Sequence, residues 1–142
     1  MAFSNNPHNA YKETQIKTAS QGKLIIMLYD GAIRQIDVAI GELASPEPSL
    51  DTTNAALVKA QDVVTELMVS LDFEKGGDIA QRLFDLYMYF NRQLIDANVK
   101  KEAEPLLEVR KMLDELRTTW LQIIGKAGPD DSDSVRGVNI AG

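Results

Sequence analysis

The stretch "TASQGKLIIMLYDGAIRQIDVAIGELA", residues 18–44, decides the fold class and carries more apolar surface than one helix face needs. One set of apolar residues recurs every three or four positions, which makes a continuous stripe on an α-helix. That set is Ile25, Leu28, Ala32, Ile36, Ala39 and Leu43. A second set lies beside it: Ile26, Tyr29, Ile33 and Ile40, with Leu24 and Met27 at its N-terminal end. One stripe suffices for a core, so the second predicts a further contact.

Capping and breaking residues set the expected bounds of the first two helices. Thr18 and Gln21 fit a capping box, so the first helix should begin near residue 19. The prolines of "SPEPS", residues 45–49, should end it near Ala44. Asp51 is expected to cap a second helix that runs to about Leu71, before the breaker "EKGGD", residues 74–78.

Two more helices are expected after this breaker. The third should run from Asp78 to about Asn98, and the fourth from about Glu102 to Ile124. Pro105 falls in the first turn of the fourth, where a missing N–H costs little. The expected inner faces are Ala56, Ala60, Val63, Leu67 and Leu71; then Ile79, Leu83, Leu86, Phe90, Leu94 and Ala97; then Leu106, Val109, Leu113, Leu116, Trp120 and Ile123.

Four amphipathic helices with short connectors predict an all-α fold, an antiparallel up-down four-helix bundle. Its expected range is residues 18–125. Residues 1–17 form a polar N-terminal segment that we expect to be mobile. Residues 126–142, rich in Gly, Asp and Ser, are expected to form a flexible, disordered tail.

Composition excludes several classes of function. The 142 residues suit one domain, and the absence of cysteine removes disulfides and thiolate metal sites. A formal charge of -6 argues against nucleic-acid binding, which needs clustered Lys and Arg. No apolar run approaches the ~20 residues of a membrane span, and "MAFSNNPHNAY" lacks the features of a signal peptide. We therefore expect a soluble, cytoplasmic protein without membrane insertion.

The sequence offers no residues for catalysis. The only histidine is His8, in the N-terminal segment, so the Glu-x-x-His pairs of di-iron bundles are missing. The carboxylates Glu108, Asp114 and Glu115 alternate with basic residues on the fourth helix, which indicates a solvated face with i,i+4 pairing. We predict no enzyme activity, no cofactor and no metal site.

Apolar groups beyond the core stripes remain to be explained. In "FDLYMYF", residues 84–90, Phe84, Tyr87 and Met88 lie to the sides of the core series. Wide helix interfaces could simply bury such residues. Alternatively, tyrosine and methionine at the margins of a bundle suit an adaptable groove that receives another helix.

Three segments of the chain resemble one family. They are "AYKETQIKTASQGKLIIMLYDGAIRQIDVAI", residues 10–40, "LDFEKGGDIAQRLFDLYMYFNRQLIDAN", residues 71–98, and "LEVRKMLDELRTTW", residues 107–120. The motifs TAS, LYDGA, GGDIA, LY and AN, in this order, are similar to the signature regions of the bacterial flagellar export chaperone FliS. Gln21 stands where this family commonly has proline.

The resemblance implies a cytoplasmic four-helix bundle that binds the disordered C-terminal segment of flagellin. Binding would prevent premature polymerisation and help to deliver flagellin to the flagellar type III export apparatus, with export gate components as further partners. The family also uses its N-terminal segment as a movable cover over the apolar groove. Tyr11 and Ile16 match the positions that would provide this cover.

We expect the flagellin groove to form from the first and third helices, with apolar side chains as anchors and Asn91 as a polar contact that sets the register. The candidates are Leu24, Met27, Leu28, Tyr29, Ile33, Tyr87, Met88, Asn91 and Leu94. Asp30 is expected to be solvated, and Gly31 to permit a close helix approach.

Two other interpretations of the apolar surplus are open. A helical adaptor or regulator could use the same groove for a different amphipathic helix. A self-associating bundle could close the groove in a weak homodimer, which sedimentation at several concentrations would detect.

Overall fold

The computed structural model describes residues 21–126, which fold into four helices without a strand. They are α1 (Gln21–Ala44), α2 (Leu50–Val69), α3 (Phe73–Lys100) and α4 (Glu104–Lys126). The predicted all-α four-helix bundle is therefore confirmed. Residues 1–20 and 127–142, which include the expected N-terminal segment and nearly all of the expected tail, lie outside the described residues.

The helices form a ring in which each packs against the next and α4 packs against α1. Helices α1 and α3 face each other across one diagonal, and α2 and α4 across the other. Because the connectors are short, consecutive helices are antiparallel. One end of the bundle therefore holds the start of α1, the α2–α3 turn and the end of α4.

Helix α2 is capped by a different residue from the one predicted. Ser49 is the N-cap, and its hydroxyl accepts a hydrogen bond from the Thr52 N–H at 3.1 Å. The Ser49 N–H in turn donates to Glu42 of α1 at 2.8 Å, which closes the connector. The prediction of Asp51 as the cap is therefore wrong. Asp51 lies in the first turn, where its charge suits the positive end of the helix dipole.

Helix α3 begins earlier than predicted because Asp72 caps it. The Asp72 carboxylate accepts hydrogen bonds from the backbone N–H groups of Glu74 and Lys75, so the helix starts at Phe73 rather than Asp78. The predicted break survives as a kink at Gly77, whose φ of 50° and ψ of -124° are not helical. At the other end, Lys101 in the left-handed region terminates the helix.

The core takes side chains from both apolar stripes of α1. Tyr29 and Ile33 of the second stripe are buried together with most of the first stripe. A helix in this ring contacts two neighbours and faces a third across the diagonal, so its apolar arc must be wide. The expectation that the second stripe is reserved for a partner is therefore corrected at these two residues.

The buried residues of α2, α3 and α4 largely match the inner faces predicted from the sequence. Those buried as expected are Ala56, Ala60, Leu67, Phe90, Leu94, Ala97, Leu106, Val109, Leu113 and Trp120. Ile79 is exposed over 51% of its surface, because it lies close to the Gly77 kink at the end of the bundle. The other predicted inner-face residues are partly buried against the core: Val63, Leu71, Leu83, Leu86, Leu116 and Ile123. Leu57 and Val64 of α2 join the core although neither is on the predicted stripe.

Candidate docking surface

Exposed apolar side chains concentrate on two neighbouring helices. Among the described residues, eight of the twelve exposed large hydrophobic residues belong to α2 and α3. They are Leu50, Val58, Val69, Phe73, Ile79, Met88, Ile95 and Val99. The other four are Met27 and Val38 on α1 and Leu107 and Leu121 on α4. Exposed apolar side chains are therefore more numerous on α2 and α3 than on α1 and α4.

Two amide hydrogen bonds join α2 and α3 along this side. Asn98 donates from Nδ2 to Asn54 Oδ1 at 2.8 Å, and Asn91 donates from Nδ2 to Thr65 Oγ1 at 3.3 Å. Val58 and Ile95 fall between the two bonds along their helices. Since residues three or four apart share a helix face, Met88 continues the row of Asn91 and Ile95. We call Val58, Met88 and Ile95, with the two amide bonds, the α2–α3 face.

Asn91 already has a partner inside the bundle. The Thr65 hydroxyl donates to the Gln61 carbonyl at 2.9 Å, so its oxygen is free to accept from the Asn91 Nδ2. This leaves the buried Asn91 Oδ1 without a hydrogen-bond partner among the described residues. A buried acceptor without a donor is costly, so the contact between Asn91 and Thr65 carries an energetic cost.

Four of the predicted contact residues support the bundle from inside. Ile33, Tyr29, Tyr87 and Leu94 are all buried. Because α1 and α3 lie on a diagonal, their facing side chains meet in the core and cannot line one open groove. These four residues therefore give no support to a groove between the first and third helices, and the exposed apolar side chains lie mainly on α2 and α3.

The two tyrosines form a polar contact in the core. Their hydroxyl oxygens are 2.6 Å apart, and Trp120 donates from Nε1 to the Tyr29 oxygen at 2.9 Å. Burial raises the pKa of Tyr29 to about 12, although hydrogen bonds from Tyr87 and Trp120 work in the opposite direction. Burial and the neighbouring Tyr29 also raise the pKa of Tyr87. Both phenols are therefore neutral at physiological pH, and the contact ties α1, α3 and α4 together.

The remaining predicted residues of α1 lie away from the α2–α3 face. Met27 points outward with 57% of its surface exposed, whereas Leu24 and Leu28 are half-buried. Tyr11 and Ile16, the residues of the predicted cover, are outside the described residues.

The opposite side of the bundle, between α4 and α1, is bridged by charges. Arg110 binds Asp37 through two contacts, Nε to Oδ1 at 2.6 Å and Nη2 to Oδ2 at 3.2 Å. Arg117, about two helical turns further along α4, forms a second ion pair with Asp30. The interpretation of the charges on the fourth helix as i,i+4 partners missed these links to α1. Asp30 is paired with Arg117, although 39% of its side chain is exposed. Helical periodicity alone gives no signal for contacts between helices.

Residues 21–126 contain neither a membrane-spanning helix nor a group of potential metal ligands. None of these helices is long and apolar enough to cross a membrane. Over the same residues, no three acidic or histidine side chains are grouped so that they could hold a metal ion.

A family model described as flagellar protein FliS matches residues 4–127, nearly the whole chain. The chain belongs to the FliS family. Relatives named flagellar secretion chaperone FliS include a protein of Salmonella typhimurium, 36% identical over 84% of this chain and 88% of the relative. One of Vibrio cholerae is 33% identical over 80% of this chain and 85% of the relative. One of Bacillus subtilis is 30% identical over 84% of this chain and 86% of the relative. The FliS family is a family of chaperones, not of enzymes.

Proposed function

We propose that this chain binds the disordered C-terminal segment of flagellin in the bacterial cytoplasm. In this role it prevents premature polymerisation and aids delivery to the flagellar type III export apparatus. The observation that carries the proposal is the concentration of exposed apolar side chains on α2 and α3. The names of the relatives, flagellar secretion chaperones, support the choice of a flagellar cargo.

The α2–α3 face suits a partner that folds as it binds. With Leu50 at the start of α2, the face offers four half-exposed anchors along the 20-residue helix α2, which is ~30 Å long. Burying the exposed half of each anchor contributes roughly 1 kcal/mol. Four such contributions are of the same size as the ~2 to 5 kcal/mol that ordering a disordered segment costs.

The predicted contact residues have different roles under this proposal. Met88 and Asn91 lie along the α2–α3 face, and Met27 is a separate exposed contact on α1. Tyr29, Ile33, Tyr87 and Leu94 act indirectly, because they fix the helices that carry the anchors. In this arrangement the buried residues hold the helices in place, and the exposed residues contact the partner.

Calorimetric titration with matched surface variants tests the proposal. Met88→Ser with Ile95→Ser changes two anchors that are 39% and 49% exposed, while Leu107→Ser with Leu121→Ser changes two α4 residues that are 53% and 42% exposed. We expect the first pair to weaken flagellin binding about 10- to 100-fold, which is roughly 1.4 to 2.7 kcal/mol. The second pair should leave the affinity unchanged.

Titration of the wild-type protein provides two further tests. Binding should show a large negative heat-capacity change, as expected for coupled folding on an apolar surface. It should disappear when flagellin lacks its C-terminal segment. Binding that survives this truncation, or equal losses in the two surface variants, would contradict the proposal. If no flagellin binds, the adaptor interpretation replaces it.

A further inference from the structure

The α2–α3 turn carries a second group of exposed apolar side chains. Val69 is 79% exposed, Phe73 46% and Ile79 51%. The Phe73 ring packs edge-on against Phe84, with centroids 5.9 Å apart, so it is held against α3 while half of it faces outward. We call Val69, Phe73 and Ile79 the end cluster.

The ring of antiparallel helices places the end of α4 at the same end of the bundle as this cluster. Helix α4 runs to Lys126 and packs directly against α3, which carries two of the three cluster residues. Sixteen further residues, 127–142, follow α4 in the sequence. Helix α4 therefore ends beside the helix that carries Phe73 and Ile79.

The sequence of these residues has two parts. Residues 127–134, "AGPDDSDS", are small and polar, whereas residues 135–140, "VRGVNI", contain Val135, Val138 and Ile140. Eight extended residues span up to about 26 to 29 Å, and neighbouring helix axes are only about 8 to 10 Å apart. We propose that residues 135–140 dock on the end cluster of their own chain, with residues 127–134 as the tether.

The alternative occupant within the chain is the N-terminal segment, which also enters at this end. It leads into α1, which lies diagonally across the bundle from α3. The C-terminal segment leaves from a direct neighbour of α3, so it has the shorter route to Phe73 and Ile79. A short tether also gives a high effective concentration, which makes a small apolar contact sufficient for docking.

Cysteine trapping in the full chain tests this inference, since the native sequence contains no cysteine. Ile79→Cys combined with Ile140→Cys should form an intramolecular disulfide in a mild thiol–disulfide buffer. Leu50→Cys with Ile140→Cys is the control, because Leu50 is equally exposed at 53% but lies at the far end of α2. We expect the first pair to form its disulfide at least about tenfold faster, since docking raises the local thiol concentration.

A third variant separates docking from mere proximity. Val135→Ser and Val138→Ser, added to the Ile79→Cys and Ile140→Cys pair, should slow the reaction severalfold because they remove the apolar contacts of the docked segment. Equal rates with and without these serines would overturn the inference. Disulfides that join two chains, or faster trapping by Ile16→Cys with Ile79→Cys, would also overturn it. The assay contains no flagellin, so its outcome is independent of the proposed function.

Discussion

At the scale of single residues, the Tyr29 hydroxyl links three helices, α1, α3 and α4, through its contacts with Tyr87 and Trp120. It accepts the Trp120 N–H and lies 2.6 Å from the Tyr87 hydroxyl, in a part of the core closed to solvent. Tyr29→Phe would leave both neighbours without this partner. Because an unsatisfied buried polar group costs ~1 to 3 kcal/mol, we expect a loss of that size in the free energy of unfolding, measured by urea denaturation.

Tyr89→Phe is the matched control. The Tyr89 hydroxyl bonds to Glu108 at the surface, where water can replace the lost partner. We expect no measurable change in the free energy of unfolding. Equal losses of unfolding free energy in the two variants would show that burial does not increase the contribution of the tyrosine contact to stability.

The raised pKa of the buried phenols predicts loss of stability in alkali. Tyr29 has a pKa of about 12 in the fold, against about 10 in an unfolded chain. Its contribution is fully present below pH 10 and is lost as the pH rises toward 12. The doubly substituted Tyr29→Phe, Tyr87→Phe chain lacks these groups. Its free energy of unfolding should therefore fall less between pH 9.5 and 11.5 than that of the wild type; parallel curves would contradict this.

At the scale of the helices, we expect opposite effects on stability when Gly31 of α1 and Gly77 of α3 are each replaced by alanine. A Cβ added at Gly31 would lie 3.8 Å from Val63, an ordinary contact, so the expected need for a small residue there is not supported. Gly31→Ala should stabilise the bundle by about 0.5 to 1 kcal/mol, because alanine loses less entropy in a helix.

Gly77→Ala should instead destabilise α3. Nothing lies within 4 Å of a Cβ at this position, so space is not the problem. The cost comes from the backbone, whose φ of 50° and ψ of -124° are unfavourable for alanine by ~1 to 3 kcal/mol. Thermal unfolding of the two variants would measure both effects, and a shift of the same sign in both would contradict the argument.

The sequence predicts the elements better than it predicts their faces. Proline and glycine clusters mark the connectors because their backbone preferences are local. Whether Tyr29 or Leu28 of α1 is buried depends on where the neighbouring helices lie, and a period of 3.6 cannot distinguish adjacent stripes. The α4–α1 ion pairs and the Ser49 cap are hidden for similar reasons, because each depends on three-dimensional contacts or on competition between nearby capping residues.

At the scale of the whole molecule, the two opposite sides of the ring have different chemistry. The α4–α1 side is bridged by Arg110–Asp37 and Arg117–Asp30, whereas the α2–α3 side offers apolar anchors and neutral amides. Surface ion pairs contribute little stability, and fewer large hydrophobic residues are exposed on α1 and α4, namely Met27, Val38, Leu107 and Leu121. The α2–α3 side, which carries eight of the twelve exposed large hydrophobic residues of the described part of the chain, is thus better suited to an apolar partner.

A removable cover over such a surface has a measurable consequence. If Tyr11 and Ile16 shield apolar side chains in the free protein, deletion of residues 1–16 should raise the fluorescence of a hydrophobic dye severalfold and change flagellin affinity. Tyr11→Ser with Ile16→Ser in the full-length chain should reproduce both effects. Unchanged dye fluorescence and unchanged affinity after the deletion would contradict the cover.

The position of Trp120 makes the chain its own optical probe. It is the only tryptophan, and it is buried against Tyr29 in the core. Its emission should be that of an indole shielded from water, and excitation of the two neighbouring phenols should transfer to it. Exposure of the indole then reports loss of the bundle, whereas cargo bound on the exterior of α2 and α3 leaves the signal in place. One spectrum can thereby separate a variant that fails to fold from one that folds and fails to bind.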